Sequence, residues 1–158
     1  MRSKKLKKPK GFSRMFYRAP ILLYQIGLGG LMGERFLLLS HMGRNTGEER
    51  QTVIEVVAKD ESKDTYYVVS AWGETADWLQ NLKKEPLCSV RVGGKRFNAK
   101  AKRISQDQAE STLMDYARRH PKALRGLAAF SGFEVDGSEE DYRKMARQLP
   151  TVALTHLS

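Results

Sequence analysis

The spacing of hydrophobic and polar positions along the chain predicts six β-strands. Residues 36–39 are continuously apolar, which is typical of a strand that is buried on both faces. Residues 96–104 instead alternate apolar and polar side chains, which indicates an antiparallel strand with one face in solvent. Gly93-Gly94 predicts a hairpin just before that strand. The predicted strands are residues 36–40, 51–58, 65–70, 87–92, 96–104 and 151–157.

Helix-capping residues separate several of these strands. Ser105 and Gln108 have the spacing of a capping box, so a helix is expected to begin after Ser105. Thr75 and Ser138 are predicted to cap two further helices, which proline ends in each case. A shorter helix is expected around residues 124–128.

The stretch before the first strand has a different pattern. Residues 12–24 interleave aromatic and aliphatic side chains with arginine, which predicts a short amphipathic helix. Such a helix can lie on a membrane surface or across the domain's own sheet. The second interpretation is favoured because most stripes of this kind face a core. Glycines between residues 27 and 33 are expected to end this helix.

These elements define an α+β fold. About six mostly antiparallel strands with intervening helices favour a small closed or split β-barrel, because a barrel hides strand edges. The chain has 158 residues and 41% hydrophobic residues, which suits one domain with a substantial core. We expect a basic flexible arm at residues 1–11 and a single split-barrel domain at residues 12–158.

The charge is unevenly distributed along the chain. The formal net charge is +10, and the first 18 residues hold eight basic and no acidic residues. The remainder is close to neutral, with 20 basic and 18 acidic residues. The arm is therefore the part expected to contact an anionic lipid surface or another acidic partner. A nucleic-acid-binding domain is not expected, because such domains spread positive charge over a folded face.

Cysteine usage and the apolar segments indicate the compartment. Cys88 is the one cysteine, so no intrachain disulfide can form, as in proteins of reducing compartments. The apolar run at residues 20–32 contains glutamine and several glycines, and is too short to span a membrane. The protein is expected to be cytoplasmic, with peripheral contact to a membrane through the arm.

The sequence shows no familiar catalytic motif. Its three histidines, His41, His120 and His156, have no ligand-spaced partners and are predicted to be turn or surface residues. Cys88 alternates with apolar residues and is predicted to be a buried, inert thiol. No phosphate-binding glycine motif is present in the required strand-to-helix context. No catalytic residue and no metal ligand is therefore assigned.

The turn at residues 43–47 is the first candidate binding element. Gly43 and Gly47 permit tight backbone geometry, and Thr46 adds a hydroxyl group. Arg44 and Arg50 flank the turn with guanidinium groups, which suit phosphate and carboxylate. The pattern suits anion binding, and it suits equally a solvated hairpin turn whose arginines pair with the neighbouring glutamates.

The loop at residues 70–73 is the second candidate. Small residues and a glycine at a strand end would let a flat ring lie against backbone amides. Trp72 is expected either to contact such a ring or simply to pack. Trp78, on the helix that follows, is predicted to be a core residue.

In these loops the chain resembles the deazaflavin (coenzyme F-420)-dependent nitroreductase, or quinone reductase, family. The resemblance covers roughly residues 16–157. It rests on the strand leading into Gly-Arg-Asn-Thr-Gly, on residues 70–73 with Trp78 and Asn81, and on Gly93-Gly94. It implies a split barrel related to flavin-binding oxidoreductases. It also implies that the cofactor carries the hydride, so that no dedicated catalytic side chain is needed.

The resemblance also implies the site. The deazaflavin ring would lie at residues 70–73 and Trp78, and the polyanionic phospholactyl-oligoglutamate tail would lie near Arg44 and Arg50. The implied cofactor-binding residues are Arg44, Asn45, Thr46, Gly47, Arg50, Ser70, Ala71, Trp72, Gly73, Trp78 and Asn81.

The expected function is hydride transfer from reduced coenzyme F-420 to a quinone or nitroaromatic-like acceptor. One alternative is an oxidoreductase of the same fold that binds flavin mononucleotide (FMN). Another is a non-catalytic module that binds a cofactor, lipid or nucleic acid. A homodimer is left open as the assembly.

Overall fold

The structure is a computed structural model that describes residues 2–3 and 34–158. The helix predicted at residues 12–24 and the glycines up to residue 33 lie outside the described residues. The strands are β1 (Arg2–Ser3), β2 (Phe36–Met42), β3 (Glu49–Asp60), β4 (Thr65–Val69), β5 (Leu87–Val92), β6 (Lys95–Arg103), β7 (Phe133–Glu134) and β8 (Thr151–His156). The helices are α1 (Asp77–Lys84), α2 (Gln106–Arg119), α3 (Pro121–Ser131) and α4 (Glu139–Gln148).

Six strands close into an antiparallel barrel. Their order around the barrel is β2-β3-β4-β8-β6-β5, and β5 pairs back onto β2. The two-residue strands β1 and β7 form a separate small ladder that the sequence pattern did not predict. The predicted α+β barrel is confirmed.

Two hydrophobic clusters lie on opposite sides of the barrel wall. The first fills the barrel interior, and α1 contributes Trp78, Leu79 and Leu82 to it. The second lies outside, where Val57 and Val69 pack against apolar side chains of α2, α3 and α4. The strands β3 and β4 are thus covered on both faces, whereas β5 and β6 keep one polar face.

The hairpin between β5 and β6 follows the sequence prediction. Gly93 and Gly94 have φ angles of 54° and 85°, a conformation that side chains other than glycine adopt rarely. Alternate residues of β5 are buried, including Cys88, whereas the polar residues of β6 face outward. Burial raises the pKa of the Cys88 thiol to about 12, which confirms it as a buried, inert thiol.

Two of the three predicted helix caps are confirmed. The Ser105 hydroxyl and the Gln108 side chain form the expected capping box, and the Ser138 hydroxyl accepts from the backbone N–H of Asp141. The prediction for Thr75 is wrong, because a short 3-10 turn (Gly73–Thr75) occupies this position and α1 begins only at Asp77. The Thr75 hydroxyl instead donates to the carbonyl of Trp72 over 3.2 Å. None of the helices in the described ranges is long and apolar enough to cross a membrane.

Candidate functional site

The barrel wall is split where β3 and β4 diverge. Along its first half, β3 pairs with β2, and β4 joins it only from Val56 onward. Val56 donates its backbone N–H to the carbonyl of Arg35 over 2.8 Å, so its polar groups point toward the β2 side. Because these directions alternate along a strand, the backbone groups of Val53 and Glu55 point away from β2 and into the gap.

A cavity of about 370 Å³ lies in this gap. Its volume is in the range of small-molecule and cofactor sites. Its lining residues come from β3, the end of β4 and the loop after it, α1 and α3, and most of them are apolar. They are Thr52, Val53, Ile54, Glu55, Val69, Ala71, Trp72, Trp78, Ala123, Gly126, Leu127 and Phe130. Glu55 is the one ionisable side chain in this set, so the cavity favours an uncharged, planar group over an anionic one.

Three of the predicted ring-binding residues therefore meet in one cavity. Trp78 is buried in the barrel core, which confirms its predicted packing role. Trp78 also contributes to the lining of the cavity. Trp72 is half-buried at the rim and meets the Phe130 ring edge-on, with 5.2 Å between ring centroids. Ala71 completes the contribution of this loop.

Ser70 and Gly73 shape the loop and do not line the cavity. The Ser70 hydroxyl donates to the carbonyl of Gly73 over 2.7 Å, and the Gly73 N–H donates back to the Ser70 carbonyl over 3.1 Å. Gly73 has a φ angle of 68°, which suits glycine. The pair turns the chain sharply after β4, and this turn presents Ala71 and Trp72 to the cavity.

The turn at residues 43–47 is closed by its own hydrogen bonds. Gly43 donates its N–H to the carbonyl of Glu48 over 2.7 Å, and Gly47 donates to the carbonyl of Gly43 over 2.8 Å. The Thr46 hydroxyl accepts from the N–H of Glu48 over 3.2 Å. These three N–H groups are therefore not available to an anion.

The two arginines of the turn differ in their surroundings. The Arg44 guanidinium donates to Oδ1 of Asn81 over 2.8 Å and pairs with Asp77 over 3.3 Å. Arg50 pairs with Glu48 over 3.3 Å, as the solvated-turn alternative expects, but 54% of its side chain is exposed. Arg50 is therefore the more accessible cation, and Arg44 is partly committed to α1.

Asn81 lies behind this turn and not in the ring cavity. It is buried, and its Oδ1 accepts from both the backbone N–H of Arg44, over 3.0 Å, and the Arg44 guanidinium. Its Nδ2 lies 3.0 Å from Nδ1 of His41. Asn81 thus fastens the turn to α1, a positioning contact that no sequence motif revealed.

The prediction that His41 is a turn or surface residue is wrong. β2 extends to Met42, and His41 continues the inward parity of Leu37 and Leu39, so that only 5% of it is exposed. That parity was the available sequence signal. Burial is the main cause that lowers the pKa of His41 to about 4, and the nearby Arg50 adds to it. His120 and His156 are exposed, as predicted.

A second cavity of about 260 Å³ lies beside Val56 and Ala58 of β3, where the pairing with β4 shifts register. Tyr116 lines it, and its hydroxyl donates a short hydrogen bond to Glu55. Its cations have internal partners, since Lys59 pairs with Glu34, and Arg119 donates to the carbonyl of Val57. We therefore assign the ligand site to the larger, apolar cavity. No group of three potential metal ligands occurs within residues 2–3 and 34–158.

A closed antiparallel barrel with an apolar cavity where β3 and β4 diverge has the split-barrel, flavin-reductase-like fold. A family model described as F420H(2)-dependent quinone reductase matches residues 24–124, which is more than half of the chain. The chain belongs to this family and is an oxidoreductase that depends on coenzyme F-420.

Solved structures show the same fold at low sequence identity. An F420-H2-dependent reductase (FDR-A) is 17% identical, with a TM-score of 0.53, and the match covers 77% of this chain and 95% of that one. A domain-swapped dimer is 14% identical, with a TM-score of 0.55 and coverage of 90% and 99%. Protein Atu2129 of Agrobacterium tumefaciens, of unknown function, is 16% identical, with a TM-score of 0.55 and coverage of 98% and 60%. No curated protein matches the sequence.

Proposed function

We propose that the protein transfers hydride from reduced coenzyme F-420 to a quinone or nitroaromatic-like acceptor. The observation that carries this proposal is the apolar cavity at the split between β3 and β4, where Ala71, Trp72 and Trp78 come together. The cavity volume of about 370 Å³ can hold a planar ring system, and Trp72 offers such a ring an aromatic contact.

The open edge of β3 adds polar groups to this apolar site. The backbone N–H and C=O groups of Val53 and Glu55 point into the gap, where they can hydrogen-bond the polar edge of a heterocycle. A flat ring held between a strand edge and indole side chains would be fixed in both position and tilt. The deazaflavin supplies hydride when it is bound, and these residues orient it and exclude water.

The anionic tail of the cofactor fits the other end of β3. Arg50 lies on the same strand as Thr52 and Ile54 of the cavity wall, so the basic turn and the ring cavity are adjacent. We place the tail against Arg50 and Arg44, with the exposed residues Asn45, Thr46 and Gly47 beside them. In this assignment Asn81 acts by holding Arg44 and does not touch the cofactor.

Turnover with a defined donor and acceptor tests this proposal. Reduced coenzyme F-420 mixed with the protein and menadione should be oxidised, and a nitroaromatic acceptor is the parallel trial. Deuterium at the reactive carbon of the cofactor should slow the reaction if hydride transfer limits the rate. Failure to oxidise bound reduced cofactor with a broad panel of quinones and nitro compounds would contradict the proposal. The expected membrane contact of residues 1–11 and the expected homodimer stay predictions.

A further inference from the structure

The outer faces of β5 and β6 form a basic surface. Four side chains project from it, Arg91, Arg96, Lys100 and Lys102, and we refer to them as the basic face. Arg91 lies directly opposite Arg96 in the ladder. The other outward-facing residues of these strands are Leu87, Ser89 and Asn98, so this face carries four cations and no carboxylate.

The cations of the basic face have no partners among the described residues. Within residues 34–158, none of the ion pairs involves Arg91, Arg96, Lys100 or Lys102. The helices on the opposite side behave differently, since Arg143 and Arg147 both pair with Glu110. Like charges directly opposite each other destabilise a ladder, so the Arg91–Arg96 pair has a cost that an anionic partner would remove.

Apolar side chains are exposed beside these cations. Leu87 is 53% exposed and lies opposite Lys100 in the ladder between β5 and β6. Met42 is 44% exposed, and the register of β2 with β5, extended by two residues, places it beside Leu87. A row of two apolar side chains followed by lysine resembles the composition of peripheral membrane-binding surfaces, where apolar groups enter the lipid and cations meet the head groups.

We propose that the basic face docks on an anionic lipid surface. A second copy of this chain is disfavoured as the occupant, because two acid-free basic faces would repel each other. A nucleic acid would use the cations but would gain nothing from exposed Leu87 and Met42, whereas a bilayer uses both. This surface is formed by β5 and β6 of the barrel, whereas the lipid contact expected from the sequence is at residues 1–11.

Vesicle co-sedimentation of the full chain tests the docking surface. The probes are vesicles of equal parts phosphatidylcholine and phosphatidylglycerol, with pure phosphatidylcholine as the uncharged control, at moderate salt. The test variant is Lys100→Gln/Lys102→Gln. The matched control is Lys122→Gln/Arg125→Gln, which removes two exposed cations from α3. Each basic residue removed from a lipid-binding surface weakens binding about five-fold, so the test variant should lose about 25-fold in affinity and the control almost nothing.

A second variant tests the apolar contribution. Met42→Ser/Leu87→Ser should also weaken binding to anionic vesicles, without any change in charge. The proposal would be overturned if the lysine variant bound anionic vesicles as tightly as the wild type does. It would also be overturned if the wild type did not bind anionic vesicles. The wild type could also bind a DNA duplex as tightly as it binds anionic vesicles. If the lysine variant lost this DNA binding and the serine variant kept it, the basic face would be a general polyanion surface and the lipid proposal would be overturned.

Docking by the basic face should also affect the reduction of a membrane-bound quinone acceptor, an expectation that rests on the proposed function. With menadione dissolved in water, the lysine variant should turn over like the wild type, but with a long-chain quinone in anionic vesicles it should be slower. Loss of turnover with both acceptors in the wild type would refute the proposed function and leave the vesicle result standing. Equal rates of the two proteins on the vesicle-bound quinone would mean that docking by this face does not supply the acceptor.

Discussion

The side-chain amide of Asn81 donates to Nδ1 of His41 over 3.0 Å. The direction follows from the other end of the amide, where Oδ1 accepts two hydrogen bonds from Arg44 and so leaves Nδ2 toward the histidine. Nδ1 must then accept, and the ring proton of neutral His41 is on Nε2. A buried histidine in β2, an asparagine in α1 and an arginine in the basic turn therefore form one hydrogen-bonded chain.

Replacing Asn81 should loosen the basic turn. Asn81→Ala removes the acceptor for the backbone N–H and guanidinium of Arg44 and the donor to His41, so buried polar groups lose their partners. We expect a loss of about 2–3 kcal/mol in the free energy of unfolding, measured by urea denaturation. The affinity for coenzyme F-420 should fall as well, because Arg44 is no longer held. Asn98→Ala, on the exposed face of β6, is the matched control and should change neither quantity; an unchanged Asn81→Ala protein would contradict this role.

The pH dependence of stability should report the protonation of His41 in this hydrogen-bonded chain. The folded-state pKa of His41 is about 4, below its usual 6.5, so the unfolded state takes up this proton first as the pH falls. The stability that neutral His41 provides is fully present above pH 6.5 and is lost between pH 6.5 and about pH 4, by about 3 kcal/mol.

The measurement is urea unfolding at several pH values for the wild type and His41→Gln, which cannot titrate there. The difference in stability between them should narrow as the pH falls through this window. Protonated Nδ1 would face the donor Nδ2 of Asn81, so in the folded protein the hold on Arg44 should weaken only as the pH approaches 4. A constant difference from pH 7 to pH 4 would show that His41 titrates normally in the folded state.

Much of this fold was predictable because the half-solvated strands and the fully buried strands of the barrel have different sequence patterns. β6 alternates and is half solvated, whereas Leu37, Leu38 and Leu39 form a continuous run that is fully buried. Capping boxes and a glycine pair act over three or four residues, so Ser105 and Gly93 could be assigned from local sequence.

The rest depended on contacts between distant parts of the chain. The hydrogen bonds from Arg44 to Asn81 join residues 37 positions apart, and no local pattern encodes them. The cavity depends on where β4 stops pairing with β3, which is a property of the register and not of either strand alone. Thr75 was misassigned because a 3-10 turn that begins at Gly73 takes the residues that a cap would use.

The arginines of the turn should couple to the cofactor tail. In the proposed site, Arg50→Ala should weaken the binding of coenzyme F-420 by about ten- to a hundred-fold, the scale of one charged hydrogen bond. The loss should be smaller for a truncated cofactor without phosphate and glutamates, and Arg44→Ala should behave similarly. Wild-type affinity should also decrease with salt, because ions screen the contact.

Fluorescence titration of full and truncated cofactor against each variant measures this coupling. Arg118→Ala, an exposed arginine on α2, serves as the control and should leave both affinities unchanged. Turnover at saturating cofactor should change little, since the ring keeps its place. Equal losses for the full and truncated cofactor would show that the arginines act on the fold and not on the tail.

Cys88 offers a test of the barrel interior. Its thiol is buried, donates to the carbonyl of Ala99 over 3.5 Å, and has a pKa raised to about 12 by burial. The thiolate is the reactive form, so the folded protein should react very slowly with a thiol reagent at pH 8. In denaturant the same thiol should react at the rate of an ordinary cysteine. Rapid labelling of the native protein would contradict the closed packing between β5 and β6.

The relative affinities of coenzyme F-420 and FMN test most directly the claim that this site is built for a deazaflavin with a polyanionic tail. Both cofactors present a flat tricyclic ring, but the site proposed here joins the cavity of Trp72 and Trp78 to the two arginines that meet a polyanionic tail. Titration of the wild type with each cofactor, followed by fluorescence, should show tighter binding of coenzyme F-420. Equal or tighter binding of FMN would contradict the account.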